Sequence, residues 1–314
     1  MDYGVFLPVS GRACAREGLM DAAREAEALG FSTVWAADRI VIPWEITTPY
    51  AYSWSDSFIV PPEKPFLESL TVLAFLAGCT ESLRLGVSVL VMPYRDPVSW
   101  AKVAATIDWL SNGRFVLGVG VGWMAEEFAA LGREDLFSRR GQVGDEHLEI
   151  LANLLAEDHC SFDGSDYAYR DIAFYPKGHD RARPMPVWCG GEGAPARRRA
   201  GRYGDAWFPY LTRVTPEALA ADHEDVRRHA EAAGRDPDEV SLSCCLSVEV
   251  TEEDVPEEPD LARGSPDQLA SRLAALEAVG VDHVALQFLV GRYPERLDQM
   301  RRLSAALPRP EPRG

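Results

Sequence analysis

Two short strings hold residues whose types and spacing can do chemistry. The first, Gly118-Val119-Gly120-Val121-Gly122-Trp123-Met124-Ala125-Glu126-Glu127, runs from an apolar stretch into an acidic helix start. Gly120, Gly122 and Ala125 match the looser form of the dinucleotide fingerprint, in which glycines after a strand let backbone amides approach a pyrophosphate. That fingerprint also needs a second strand ending in an acid about 20 residues later, and residues 138–157 have helical spacing instead. The dinucleotide reading fails on this context. What survives is a strand end where backbone can approach a ligand closely, beside a helix start that favours an anion. Glu126 and Glu127 stand in the first helical turn, where an acid serves equally as a pocket acid or as a partner of the helix dipole.

The second string, Gly190-Gly191-Glu192-Gly193, repeats the arrangement ahead of a helix carrying Arg197, Arg198, Arg199 and Arg202. Amides and arginines together make it the better phosphate candidate. Glu192 counts against that unless it points away, and the alternative is a helix start with solvated arginines. A third region is chemical by bulk. Residues 39–65 contain Trp44, Tyr50, Tyr52, Trp54 and Phe58, in a connection longer than most. The segment is expected to cover a substrate, and Trp44, Trp54 and Tyr50 suit something flat or apolar.

These strings need elements to hold them, and the hydrophobic periodicity supplies eight. Short apolar runs, too continuous for a half-exposed sheet, alternate with amphipathic helical runs along the whole chain. Helix signals are explicit: Asp96 as N-cap before Pro97, closure at Asn112-Gly113, and Gly30 just past the first helix. Eight βα units in 314 residues predict an α/β fold, a (β/α)8 TIM barrel with insertions after strand two and before strand five. The chain is expected to form a single domain, 1–314, with a doubly wound open sheet as the alternative. The insertion before strand five, 158–186, contains a hairpin signal at Asp163-Gly164 and is expected to pack against a partner subunit.

Composition narrows the function. The net charge is -17, and three of the 32 basic residues are lysine, which argues against a nucleic-acid partner. No run of 18 apolar residues occurs, so no membrane span is expected, and the N-terminus lacks the form of a signal peptide. Six cysteines form no CxxC pair, so no metal or disulfide framework is expected and a reducing, cytoplasmic compartment fits. Adjacent Cys244 and Cys245 are read as small hydrophobes on opposite faces of a strand. No histidines cluster after strand ends, which disfavours a metal-dependent barrel hydrolase.

The ordered set of motifs carries a resemblance. "GVFLP", "ALGFSTVWAADRIVIP", "LGVSVLVMPYRDPVSWAK", "LSNGRFVLGVGVGWMAEEFAALG", "AGRYGDAWF" and "GSPDQLASRLAALEAVGVDHVAL" resemble the luciferase-like flavin and deazaflavin oxidoreductases, in particular the coenzyme F420-dependent branch. The resemblance covers nearly the whole chain. It implies a (β/α)8 barrel with a tricyclic cofactor in its mouth: coenzyme F420, or alternatively FMN. It implies a non-prolyl cis peptide at Ser88–Val89 supporting the ring, and it implies that Asp38 bonds the ring or positions a catalytic neighbour. Gly120, Gly122, Trp123, Gly190 and Gly191 then line the ring edge and the phosphate-bearing tail.

One departure matters. Several relatives have a catalytic histidine after the aspartate, where this chain has Arg39. Arg39 can instead bind an anionic substrate or the deprotonated deazaflavin oxygen, so the catalytic candidates are Asp38, Arg39 and Glu127. The expected reaction is hydride transfer between F420 and a small organic substrate. An FMN-dependent monooxygenase is the alternative within the family, and a non-catalytic flavin- or deazaflavin-binding protein the alternative outside enzymes. Relatives are often dimers, and no motif decides between that and other assemblies.

Overall fold

Four helices start where an oxygen-bearing side chain accepts a first-turn amide: Glu68 from Thr71, Asp96 from Ser99, Thr215 from Ala218 and Ser265 from Gln268. Positive φ at Gly30, Asn112, Gly113 and Gly280 ends others. The computed structural model describes residues 1–50, 52, 58, 60–211, 215–258, 261–289 and 293–308. In chain order these contain β1 (Asp2–Phe6), α1 (Arg16–Ala28), β2 (Thr33–Ala36), α2 (Ser69–Ala77), β3 (Arg84–Val91), α3 (Pro97–Leu110) and β4 (Phe115–Gly120). There follow α4 (Ala125–Ala130), α5 (Arg140–Ala156), β5 (Cys160–Asp163), β6 (Ala168–Ile172), β7 (Val187–Gly190), α6 (Ala194–Tyr203) and β8 (Ala206–Phe208). The chain continues through α7 (Pro216–Ala232), β9 (Ser241–Val250), β10 (Ala262–Gly264), α8 (Pro266–Ala278), β11 (Val281–Phe288) and α9 (Tyr293–Ala306).

Eight parallel strands lie in the order β9-β11-β1-β2-β3-β4-β7-β8, and the pairing of β8 with β9 closes the ring. The fold is the expected (β/α)8 barrel, and its fifth to eighth strands are β7, β8, β9 and β11. Closure leaves no open sheet edge within the ring, which excludes the open doubly wound alternative. The short β10 was not legible in the sequence; it adds beside β9 in register Ala262↔Val248. β5 and β6 form an antiparallel hairpin whose turn runs through Gly164–Tyr167, the Gly164 amide donating to the Tyr167 carbonyl at 2.9 Å. The insertion before β7 is tied to its own chain. Lys102 Nζ donates to the Tyr175 carbonyl at 2.5 Å, and Asp108 accepts the His179 amide at 2.7 Å.

Two apolar layers result. The larger fills the space between strands and helices; the smaller fills the barrel axis with Phe6, Trp35, Val116, Trp188, Ala206, Phe208, Cys245 and Ala285, capped by Val89 and Tyr210. Cys244 belongs to the first layer and Cys245 to the second, as alternation along a strand requires. Low on the axis, Trp35 Nε1 donates to His283 Nε2 at 3.1 Å. Burial, with help from Arg84, pushes that imidazole down to about 3, so it stays neutral. Among the described residues no helix is long and apolar enough to cross a membrane.

Candidate active site

The mouth of the barrel is floored by β3. The peptide bond Ser88–Val89 is cis, and the β3–β4 register slips between Val87 and Leu90 at the same place. Val89 turns into the barrel against two neighbouring strands, and each has a glycine there. A Cβ on Gly120 would lie 2.5 Å from Val89 Cγ2, and one on Gly190 would lie 2.9 Å from Val89 Cγ1. These two glycines are therefore needed to admit a valine side chain. Gly122 has φ +79, and a Cβ there would lie 2.7 Å from Val91 Cγ1, so it turns the chain out of β4 toward Trp123. Ser88 Oγ sits 3.5 Å from Cys245 Sγ across the mouth.

The loop after β2 is fastened over this floor by the two glutamates that begin α4. Glu127 is wholly buried and takes Arg39 at 2.7 Å on one oxygen, with the amides of Ile40 and Val41 at 2.9 and 3.2 Å on the other. Glu126 accepts the Thr47 amide and hydroxyl, both at 2.7 Å, and the Thr48 amide and hydroxyl at 3.0 and 2.8 Å. Partial burial opposes the Glu126 charge, yet these bonds outweigh it and hold the carboxyl down at about 2. The Arg39 guanidinium is held between two rings, 4.9 Å from the centroid of Trp123 and 5.1 Å from that of Phe58. Tyr50 packs on Trp123 at 4.7 Å and on Phe58 at 5.5 Å.

Asp38 anchors the other end of the loop. Its carboxylate forms a bidentate pair with Arg95 at 2.7 and 2.8 Å and also accepts from Ser69 Oγ and the Val91 amide. It ties the end of β2 to the end of β3, and so fixes the segment that carries Val89.

The rim after β7 is built differently. Gly191 has φ +101, and its carbonyl accepts from Trp207 Nε1 at 2.8 Å. Glu192 turns inward, accepting the Tyr210 amide at 2.8 Å and a bond from the Tyr52 phenol. Burial pushes its carboxyl above the usual range, and these donors offset that only in part. Tyr210 bonds Ser247 Oγ at 2.5 Å and the Gln287 side-chain oxygen, and its ring lies 6.0 Å from Tyr52. Three of the four arginines behind this loop are engaged elsewhere: Arg197 by Asp222 and Asp225, Arg199 by Asp145, Arg202 by Glu149. Arg140, at the start of α5, donates to the carbonyls of Gly122 and Phe137 and, among the described residues, pairs with no carboxylate.

The structure thus gathers Arg39, Glu127, Trp123, Ser88, Val89, Gly120, Gly190 and Gly191 around one mouth, with Asp38 just beneath its edge. Trp44 is 79% exposed, and Trp54 lies outside the described residues. Tyr50, Tyr52 and Phe58 supply the aromatic cover instead. Tyr210, Ser247 and Gln287 were missed by sequence reasoning; their signal is a polar side chain at the C-terminal end of an otherwise apolar barrel strand. Of the histidines, His147 is buried beneath α3, taking Trp100 Nε1 at 3.4 Å, and His283 lies low on the axis.

Residues 1–259 match the family model described as luciferase-like monooxygenase, and the chain belongs to that family. It is 33% identical over 59% of its length to an uncharacterised Mycobacterium tuberculosis protein, spanning 62% of that relative. An F420-dependent glucose-6-phosphate dehydrogenase of Amycolatopsis mediterranei is 30% identical over 60% of the chain and 52% of the relative. The FMNH2-dependent dimethylsulfone monooxygenase of Pseudomonas putida is 28% identical over 71% of the chain and 74% of the relative. The fold is also that of an F420-dependent secondary alcohol dehydrogenase solved with an F420–acetone adduct: TM-score 0.78 at 17% identity, covering 98% of this chain and 99% of that one.

Proposed function

With the luciferase-like monooxygenase family as premise, we propose that this chain is an oxidoreductase that transfers a hydride between coenzyme F420 and a small organic substrate in the barrel mouth. The observation that carries this reading is the enclosure of the mouth: an aliphatic floor at Val89 beneath a cover of Tyr50, Tyr52, Phe58 and Trp123. An aliphatic floor beneath aromatic rings is a surface chemistry that suits a flat apolar ring, and excluding water favours positioned transfer over side reactions.

Ser88 and Val89 would hold the ring from the floor and Trp123 from its edge. The Arg140 guanidinium, with no carboxylate partner among the described residues, suits an anionic tail. When bound, the deazaflavin supplies a two-electron hydride carrier that reacts poorly with dioxygen. The rest falls to the protein. Asp38 and Arg95 hold the floor segment, Glu126 and Glu127 hold the cover down, and the aromatic side chains exclude water. Arg39, already paired with Glu127 and 8% exposed, serves the cover rather than an anionic substrate. Support for F420 comes from the sequence motifs and from the F420-dependent relative.

The second reading, an FMN-dependent monooxygenase, is favoured by the longer alignment with the dimethylsulfone enzyme. Titrating the purified protein with F420 and with FMN, each followed by cofactor fluorescence, separates the two. Micromolar binding of F420 with weaker binding of FMN is expected. Preferential binding of FMN, with NAD(P)H-driven oxygen consumption, would overturn the F420 reading; tight binding without turnover of any substrate would make the chain a carrier.

A further inference from the structure

Adding a hydride to a C=O or C=N bond requires a proton at the heteroatom, and in a mouth shielded from water a side chain must carry it. Most ionisable groups at the mouth are committed. Arg39 is a permanent cation bound to Glu127. Asp38 is bound to Arg95, Glu126 and Glu127 hold the loop, and His147 and His283 lie away from the mouth. Glu192 differs in what it lacks.

We propose that Glu192 is the proton donor and acceptor of this site, with Tyr52 as its positioning residue; the inference rests on the two-electron reading above. Its carboxyl is inward, half-buried and held by the Tyr210 amide and the Tyr52 phenol. The groups facing it are Tyr50 and Tyr52 from the loop after β2, Tyr210 from the end of β8 and Cys245 from β9. Among the described residues no cation acts on it. Arg197, on the same rim, donates to the Glu192 backbone carbonyl and is itself bound by Asp222 and Asp225. Cys245, the group nearest the floor, is a thiol held neutral by burial, and it contacts Ser88. Among the described residues Glu192 thus faces the mouth without a counter-ion, and such an environment favours the protonated carboxyl.

In the reductive direction, a bound reduced deazaflavin would supply the hydride that forms a C–H bond at a carbonyl carbon. The π pair moves to oxygen, and the Glu192 proton forms the new O–H bond, leaving the carboxylate to take a proton from solvent once the product leaves and the mouth opens. Oxidation of an alcohol is the reverse, with the carboxylate accepting the proton. A carbonyl compound or its alcohol is thus the substrate class that uses this group.

The test compares parent, Glu192→Gln, Glu192→Asp and Tyr52→Phe. In apoprotein carrying 13Cδ-labelled glutamate, one carboxyl is expected to titrate above the ordinary range. Glu192→Gln removes that signal, and Tyr52→Phe moves it higher, because a donor to the charged form is lost. In single-turnover reduction of short-chain ketones and enones, Glu192→Gln is expected to bind F420 within threefold of the parent. Its transfer slows about 100- to 1,000-fold and loses a pH limb, and Glu192→Asp restores part of the rate. An ordinary titration of Glu192 overturns the proposal. So does a Glu192→Gln rate within threefold of the parent, or a loss of cofactor binding as large as the loss of rate. If the parent binds FMN instead, the cofactor reading fails while the same comparison, run with FMN, still decides Glu192. If it binds neither, the carboxyl titration alone decides it.

Discussion

Two rims of the same barrel, after β4 and after β7, share an order of two glycines and then glutamate, and end in opposite electrostatics. Each has a glycine against Val89, then a second glycine with positive φ, then a glutamate near the start of a helix. After β4, the glutamates meet a cation and a row of amides and hydroxyls from the loop after β2. After β7, Glu192 meets the Tyr210 amide and the Tyr52 phenol, and no cation among the described residues. A buried carboxylate bonded to a guanidinium is a fastening, because its charge is balanced and fixed. One without a counter-ion remains free to change protonation. The difference arises from what the neighbouring loops deliver to each glutamate.

The largest effect should come from breaking the balanced rim. Arg39→Met or Glu127→Ala leaves a buried charge alone and is expected to cost about 3–5 kcal/mol in urea unfolding. The double variant Arg39→Met/Glu127→Leu should recover much of that loss. If either single variant costs under about 1 kcal/mol, the pair is not a fastening and the contrast with Glu192 collapses.

Where the rims agree, at the glycines against Val89, a methyl probes the floor. Gly120→Ala is expected to cost about 1–3 kcal/mol by overpacking, and Gly190→Ala less, because its added Cβ lies farther from the valine, at 2.9 Å against 2.5 Å. Equal unfolding midpoints for the two variants would show that Val89 does not set these positions.

The smallest effect concerns acid. The Glu126 carboxyl is depressed from 4.5 to about 2 in the folded protein, so the stability it contributes is present above pH 4.5 and lost as pH falls toward 2. Glu126→Gln should flatten the fall of thermal midpoint with acidity in that window. An unchanged slope would mean that the threonine bonds do not favour the charge.

Much of the barrel was legible beforehand. Asp96 with Pro97, Asn112 with Gly113 and Gly30 mark boundaries through local geometry, and continuous apolar runs signal strands covered on both faces. Ser88–Val89 was legible only through the family resemblance, since nothing in those two side chains calls for a cis bond. The hairpin signalled at Asp163-Gly164 is present, its turn running through 164–167, whereas the three-residue β10 was not legible, because it is defined by pairing with β9. Many of the candidate residues share one mouth, but several of their partners were not legible in the sequence. Arg39 was read as a ligand for an anion and instead pairs with a residue 88 positions away. Arg197, Arg199 and Arg202 of α6, expected beside a phosphate, instead face acids on α5 and α7.

The sequence by itself determined the eight βα units, the strand ends that form the mouth and the presence of acids and aromatics there, because periodicity, caps and turns act over a few residues. Only the tertiary structure decided which charges are balanced. A carboxylate's behaviour depends on the groups within a few ångströms of it, and barrel closure brings those from residues 39, 52 and 210 to glutamates at 127 and 192. No local pattern encodes that meeting.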